Sequence, residues 1–414
     1  MNEPMWVNYH KHTSLSNVYT KDSPLTHFDY WDVLKQRYED KPCIYTTVEH
    51  GWAGNYFHTY NLLEKYNKQN DTHIQFSFGY EAYWVKDRHT NDNSNCHMIL
   101  LARNDNGRKA LNKILSIANK DGYYYRPRLD LELIMSLPPD DIMLTSACIV
   151  YWNKYSDIDD ITLQLAEKFP YFYLEVQPHN TAKQKELNQH ILDLSTQHSI
   201  PIIAGCDSHI IDNSQMIERD DLLESSGINY EDEAGCNLDF PTYDILVNRF
   251  KEQEILSDNH IKQAIDNTNV LFDFEPIVLD RSLKVPIIKP LQNKTQEERN
   301  QIFENILKKE WNHQKWDINQ SKYDEYIKEI KDAIGEIEGC NMADYFILSY
   351  YIMKNGQEKY GGILTPTGRG SAVGMYINKL LCLTKVDKIN SPVLMYPERF
   401  LTKERVLESH TPPD

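Results

Sequence analysis

The spacing of apolar and polar positions changes period many times along this 414-residue chain. Residues 5–12, Met-Trp-Val-Asn-Tyr-His-Lys-His, read as a short strand. In extended backbone the i, i+2 spacing puts His10 and His12 on one face. Residues 30–38 carry Trp31, Leu34 and Tyr38 at helical spacing, with Asp29 as the cap. Strands are predicted at 43–48, ending on Glu49-His50, and at 74–80, ending on Glu81, with a helix over 56–66 between them. Residues 96–102 form a further strand that opens, instead of closing, on a histidine, His97. A helix follows over 109–119, then a basic aromatic loop over 122–128 and a strand over 141–148 that ends on Cys148. Strands at 169–176 and 200–205 flank a helix over 183–196, and the second runs into Cys206-Asp207-Ser208-His209. Such alternation predicts an α/β fold, a parallel sheet or barrel, in the first part of the chain.

The strand ends carry the chemistry. His10 and His12, His50, Glu81, Cys148, and Asp207 with His209 close five of the seven predicted strands. A single His-x-His is also what polar residues at a strand edge look like, but hydrophobic strands have no packing reason to end repeatedly on His, Asp or Glu. In a parallel α/β barrel those ends share one rim. With Asp22, in the polar turn after His12, and His97, the candidate ligands are His10, His12, Asp22, His50, Glu81, His97, Cys148, Asp207 and His209. Imidazole, carboxylate and thiolate together suit Zn²⁺, Mn²⁺ or Fe²⁺ better than Mg²⁺ or Ca²⁺. Nine ligands exceed the needs of one ion, and adjacent ions can clamp the attacking and leaving oxygens of a phosphoester. Glu49 is placed to orient His50, and the other ten histidines read as ordinary.

Beyond residue 212 the pattern turns helical, with helices over 243–250 and 261–271. Residues 276–291 contain three prolines and read as an extended boundary, dividing the chain into domains 1–275 and 285–414. The second domain has helical stretches at 297–311, 323–337 and 345–353. A glycine-rich run, Thr367-Gly-Arg-Gly-Ser-Ala-Val-Gly374, then leads into a helix over 375–381. Gly368, Arg369, Gly370 and Ser371 offer backbone N–H groups, a hydroxyl and a positive charge to a nucleotide phosphate, although the Gly-Lys-Ser/Thr of a Walker A loop is missing. The apolar stretches 345–353 and 375–381 are expected to leave surface for a partner.

Composition narrows the picture. Apolar residues at 41% and charged residues at 25% are ordinary for a globular protein. No run approaches a membrane span and no signal pattern opens the chain. Seven cysteines without framework spacing point to a reducing, cytoplasmic setting. The net charge of −17 is uneven: 24 basic against 43 acidic residues over 1–280, and 20 against 18 over 281–414. An acidic first domain argues against broad phosphate-backbone binding there and favours a site that concentrates cations.

Seven segments of the first domain, His-Lys-His-Thr-x-x-Ser, Val-Glu-His-Gly, Gly-Tyr-Glu-Ala-Tyr, His-Met-Ile-Leu-Leu-Ala, Gly-Tyr-Tyr-Tyr-Arg-Pro-Arg, Thr-Ser-Ala-Cys and Gly-Cys-Asp-Ser-His, resemble in this order bacterial replicative DNA polymerases of the C family. They are similar to the N-terminal polymerase-and-histidinol-phosphatase (PHP) domain of that family. Thr-Gly-Arg-Gly-Ser-Ala-Val-Gly and Pro397-Glu-Arg-Phe-Leu401 resemble the start of its palm. The resemblance implies a distorted (β/α)7 barrel with a site for three metals on the residues named above, followed by a partial, mainly helical α+β palm segment. It implies a 3′→5′ exonuclease in some members and a purely structural site in others; here Asp207, His209 and Glu49 would take the catalytic roles. It also implies DNA and other replisome components as partners. The family often has Asp where Glu49 stands, and its loop after His12 is commonly shorter. Its polymerase aspartates are expected beyond Pro413-Asp414, so the Mg²⁺ pair of polymerisation is expected only in a complete polymerase, and this chain alone is not expected to polymerise. An exonuclease is therefore the first expectation; a non-catalytic piece that docks onto a separate C-terminal polymerase chain is the second.

Overall fold

The computed structural model describes residues 4–413 except 40, 95, 153, 229, 231–234 and 410; Asp414 thus lies outside the described residues. The chain forms two compact units, Met1–Leu279 and Asp280–Asp414. The first is mixed α/β and the second is helical among its described residues.

Among the described residues nine strands order the first unit: β1 (Cys43–Tyr45), β2 (Ile74–Phe76), β3 (Gly79–Trp84), β4 (Cys96–Ala102), β5 (Tyr123–Tyr124), β6 (Arg126–Leu129), β7 (Ile142–Thr145), β8 (Phe172–Val176) and β9 (Ile202–Ala204). Seven pair in the order β5-β6-β3-β4-β7-β8-β9, and β1 pairs with β2. The neighbours β1–β2, β7–β8 and β8–β9 are parallel, as the alternation predicts. β4 departs from it, running antiparallel to both β3 and β7. That reversal resolves the anomaly of His97: the start of an antiparallel strand lies beside the ends of its parallel-running neighbours, and His97 stands opposite Tyr83 near the end of β3. The loop expected over 122–128 is instead the antiparallel β5–β6 hairpin.

Residues 6–12 make no ladder of their own. Lys11 bridges Ser208 in parallel, with His12 N–H donating to Ser208 O (2.9 Å) and Ser208 N–H to His10 O (3.1 Å). On the other side Val48 N–H donates to Lys11 O (3.0 Å), Ser77 N–H to Tyr45 O (2.8 Å) and Glu81 N–H to Glu49 O (3.2 Å). Backbone pairing therefore continues from β9 through the N-terminal segment and β1 to β3.

Both faces of the sheet are buried, and the period of two decides what each carries. Tyr80, Ala82, Trp84, Met98, Leu100, Ile142, Leu144, Leu174, Ile202 and Ala204 join a core shared with helices such as Asp105–Lys120 and Ala182–His198. The alternate positions Ile99, Leu101, Met143 and Ile203 join Val7, Tyr9, Ile44 and Val48 in a second core on the opposite face. Glu81, His97, Thr145 and Glu175 share the parity of that second set, so each is delivered to the inner face by register alone.

Local capping decides several element ends. The helix His27–Tyr38 starts at Thr26, whose hydroxyl and backbone engage Asp29 in a capping box, so Asp29 is the third helical residue and not the cap. The helix over 261–271 stops early: α-structure spans Asp258–Asp266 and gives way to a 3₁₀ stretch, Asn267–Asp273. Helices Ile149–Trp152 and Ile158–Lys168, not predicted, follow β7.

In the second unit, helices Gln296–Gln314, Tyr323–Gly339 and Ala343–Tyr360 pack around Phe303, Tyr326, Ile337, Phe346, Tyr376 and Ile377. The stretch 375–381 is thus core and not free surface, because its five-residue helix Tyr376–Leu380 turns Tyr376, Ile377 and Leu380 inward. Exposed apolar side chains remain at Tyr351, Ile352, Tyr360 and Ile363.

Candidate metal centre

His10 and His12 project together from the N-terminal segment, while Lys11 between them turns away into the rings of Tyr30, Tyr45 and Phe240. His12 Nε2 lies 3.2 Å from both Glu81 Oε2 and Asp207 Oδ1, and His10 Nε2 lies 3.2 Å from the same Asp207 oxygen. His50 Nδ1 is 3.0 Å from Glu81 Oε2, and His97 Nδ1 is 2.9 Å from Glu81 Oε1. His209 Nε2 is 3.4 Å from Asp22 Oδ2. Cys148 Sγ stands 3.5 Å from His97 Nδ1. All nine candidate ligands therefore meet, contributed by β3, β4 and the ends or approaches of the other inner strands. Glu81 reaches the cluster from inside β3 and not from its end, since the strand continues to Trp84.

Two backbone positions show how strongly the surroundings dictate this arrangement. Ala147 and Asp207 hold φ of +47° and +48°, a left-handed conformation costly for residues with a Cβ, and both sit where a strand delivers a ligand.

The cluster is buried and unsatisfied. His10 Nε2, His12 Nε2, His50 Nδ1, both Glu81 oxygens, Asp207 Oδ1 and His209 Nε2 are seven buried atoms without a hydrogen-bond partner, although each lies near another of the set. Folded proteins leave few such atoms, because each costs about 1–3 kcal/mol of uncompensated desolvation. Burial opposes charge throughout, yet the imidazoles hold the carboxyls of Glu81 and Asp207 well below the ordinary range. Asp22 is lowered in the same way, with His209 overcoming its burial. Burial depresses His12 too, but the Asp207 and Glu81 carboxylates 3.2 Å away outweigh it and push it up to about 10. Burial and the neighbouring His12 hold His50 down at about 4. Burial opposes His10 as well, but Glu175 and Asp207 hold it well above the ordinary range; concentrated negative charge, orphaned lone pairs and two proton-rich imidazoles are what a cation-binding cluster presents when protons alone balance it. Three groups have ligand atoms within 4.8 Å of one another: His12-His50-His209, His10-His12-Asp207 and His50-Glu81-His97. The donor set fits a borderline transition metal.

An outer layer fixes the ligands. Glu175, 1% exposed, accepts from His10 Nδ1–H (2.5 Å), Tyr9 Oη–H (2.5 Å), Gln177 Nε2–H (2.9 Å) and Thr145 Oγ1–H (3.1 Å). With Nδ1 donating, His10 keeps its Nε2 lone pair for the cluster. Gly205 leaves room for that carboxylate: a Cβ there would lie 2.1 Å from Glu175 Oε1. His209 Nδ1–H donates to Asp207 O (2.8 Å), which likewise leaves Nε2 free of the proton.

Glu49 does not enter the cluster. Its carboxylate is taken up by Thr13 N–H (3.2 Å), Thr13 Oγ1–H (2.7 Å) and Ser16 Oγ–H (2.5 Å). The carboxylate reaches the ligands through Ser16, whose Oγ also lies 3.1 Å from His12 Nδ1 and accepts from His50 N–H at 3.3 Å. The Glu49 carboxylate thus lies outside the cluster and beside residues that contact it. Gly368–Ser371 belong to the other unit and open a 3₁₀ turn, Ser371–Gly374, instead of a helix. Gly368 is required there by packing, since a Cβ would meet Val373 at 2.3 Å.

Sequence reasoning missed Glu175 and His179. His179 lines the same cavity as the cluster, and burial lowers it to about 4. The signals were present: an acidic residue inside the apolar strand Phe172–Val176, and a histidine three positions after it. The cavity encloses about 790 Å³ and is lined by Asp22, His50, His97, Cys148, Asp207 and His209 together with Tyr125, Arg126, Lys154 and His179.

Fold and cluster define a class. The chain matches the PHP domain over residues 45–179 and, in the second unit, the bacterial DNA polymerase III alpha NTPase domain over residues 291–414. The two matches, one in each unit, place a PHP-like segment ahead of a polymerase-like one. More particularly, the chain is homologous to the N-terminal region of DNA polymerase III subunit alpha, the PHP domain plus the start of the palm. It is 26% identical over 376 residues to DNA polymerase III subunit alpha of Borreliella burgdorferi, covering 84% of this chain and 30% of that protein. To the same subunit of Aquifex aeolicus it is 25% identical over 387 residues, covering 85% and 32%. It is 28% identical over 217 residues to DNA polymerase III PolC-type of Clostridium perfringens, covering 48% and 14%. The chain thus spans about a third of the length of the alpha subunits it matches.

Proposed function

We propose that the first unit is a metal-dependent phosphoesterase that removes nucleotides from a DNA 3′ end, working within a replicative polymerase. The observation that carries this reading is the set of seven buried, unpartnered nitrogen and oxygen atoms facing one another. The triads His10-His12-Asp207 and His50-Glu81-His97 share no residue, so they could serve two ions at once, and His209, Asp22 and Cys148 leave donors for a third. Zn²⁺ or Mn²⁺ suits this mixture. Bound there, the ions would supply electrostatic stabilisation of the oxygens around a scissile phosphorus. The protein's own contribution is to fix imidazole tautomers through Glu175 and the Asp207 carbonyl and to keep most of the centre from water. Asp207, with 17% of its side chain exposed, and His209 face the cavity and would handle the proton of the attacking water. The run of backbone hydrogen bonds from β9 through residues 10–12 and β1 to β3 supports a closed seven-strand barrel as the scaffold.

Gly368, Arg369, Gly370 and Ser371 are proposed to meet a nucleotide phosphate in the palm, and Mg²⁺ would serve polymerisation in a complete polymerase. Seven free cysteines and the absence, among the described residues, of any helix long and apolar enough to cross a membrane support a cytoplasmic setting. The second reading, a non-catalytic unit docking onto a further polymerase chain, draws on the exposed Tyr351, Ile352, Tyr360 and Ile363. Release of nucleotides from a 3′-labelled single strand under Mn²⁺ or Zn²⁺ separates the two. Activity is expected in the native chain and absent in Asp207→Asn at equal metal-free stability; activity that persists in the variant refutes the first reading.

A further inference from the structure

The mouth of the cavity carries an element that the metal ligands do not need. In the β5–β6 hairpin Tyr124 pairs with Arg126 and Tyr123 with Pro127, so Tyr125 alone makes the turn. It does so at φ +60°, where glycine is the natural choice, and the residue is 73% exposed. Its ring meets that of its neighbour Tyr124 edge-on (4.6 Å, 72°) and leaves most of its surface to water, so it adds little to the packing of the core. An observed outlier of this kind, lining the cavity, points to a role outside the fold's own stability.

Its neighbour supplies the second observation. The Arg126 guanidinium carbon lies 4.6 Å from the centre of the Tyr83 ring. The other side of that arrangement is the metal centre, because Tyr83 stacks on His50 (6.0 Å, 17° between planes) and meets His97 edge-on (5.3 Å, 68°). Among the described residues no carboxylate pairs with Arg126. Lys154, exposed, lines the same cavity. Two cations at one mouth stand out in a unit with 24 basic against 43 acidic residues over 1–280. They favour an anionic group there, and the adjacent exposed ring of Tyr125 favours a flat one beside it.

We propose that Tyr125 is a stacking platform for the nucleobase of the substrate's terminal nucleotide and that Arg126, with Lys154, receives its phosphate. This rests on the phosphoesterase reading and makes the hairpin tip the element that selects nucleotides over phosphates that lack a base. Tyr125 and Arg126 are positioning residues; neither is asked to move a proton.

The test is equilibrium binding, which does not depend on turnover. The full chain, loaded with Mn²⁺, is titrated calorimetrically with thymidine 5′-monophosphate and with 2-deoxyribose 5-phosphate. The native protein is expected to prefer the nucleotide about tenfold, the usual worth of one base stacked on one ring. Tyr125→Gly relieves the positive φ, so its thermal stability should hold or rise while the preference falls to about one, through the nucleotide alone. Tyr125→Trp should restore the preference, and Arg126→Ala should weaken both ligands together. A native ratio near one, no nucleotide binding, or a ratio unchanged in Tyr125→Gly overturns the proposal. Failure of hydrolysis with the ratio intact would instead strike only the phosphoesterase reading.

Discussion

Glu175 is the residue through which the centre is most directly perturbed without touching a ligand. Glu175→Gln keeps the volume and removes the charge. The carboxylate accepts four hydrogen bonds, two of them at 2.5 Å, from Tyr9 and His10. If the amide oxygen faces His10, the Nδ1–H bond survives as a neutral one and the imidazole becomes a poorer donor. If the amide nitrogen faces it, Nδ1 must accept, and the proton moves to Nε2, where it blocks the ligand lone pair. Either way metal affinity should fall by about 10–100-fold, the usual cost of losing such a carboxylate behind a ligating histidine. Stability of the metal-free protein should fall by only about 1–3 kcal/mol, since charge-assisted bonds are exchanged for neutral ones. The assay is competition for Zn²⁺ against a chelator of known affinity, alongside urea denaturation without metal. Tyr9→Phe is the control: it removes one donor but leaves the Glu175–His10 bond, so stability should drop and affinity should not. Affinity within twofold of native in Glu175→Gln, with the expected loss of stability, would refute the reasoning.

Purified without chelator, the protein should carry Zn or Mn at more than one ion per chain by elemental analysis. The double substitution His10→Ala and His12→Ala should lower both that content and the melting temperature; chelator should bring the native protein down in the same way, because ligand binding adds stability of RT ln(1 + [L]/Kd). Gly205→Ala should mimic Glu175→Gln in the competition assay, since the new methyl must displace the Glu175 carboxylate 2.1 Å away. A pH dependence follows from Lys11, whose burial lowers it to about 7 from an ordinary 10.5 despite three neighbouring rings. Its folded value lies below its unfolded one, so relative to Lys11→Met the native chain should lose about 1.4 kcal/mol per unit as pH falls from about 10.5 to about 7, and no more below. Denaturation of both proteins at pH 7, 8.5 and 10 measures this, and a difference independent of pH would contradict it.

Residue spacing alone carried much of the first unit. His10 and His12 share a face because extended backbone alternates, and Asp207 with His209 follow an apolar run whose burial was evident from its composition. Several residues of the candidate cluster, His10, His12, His50, Asp207 and His209 among them, stood out because strands have no packing use for His or Asp at their tips. Local rules also located the helices that begin at Tyr56, Asp105 and Ala182 to within four residues. They erred where a cap decides the end, as at Thr26, and where a short hairpin such as Tyr123–Leu129 closes on itself with no glycine to mark its turn.

What only the tertiary structure decided is strand direction and second-layer contact. The reversal of β4 cannot be read from a strand's period, which is the same in both directions, yet it brings His97 beside Glu81. Glu175 went unnoticed because its partners, Tyr9, His10 and Thr145, lie 30 to 166 positions away in sequence. Glu49 was expected to orient His50 because it precedes it; the fold gives its carboxylate to Thr13 and Ser16, and the Ser16 hydroxyl accepts from His50 N–H. Which side chains face inward is a local property of alternating backbone, and the sequence determined it. Which of them touch depends on how distant segments pair, and that was settled only when the chain from β9 through residues 10–12 to β3 came together.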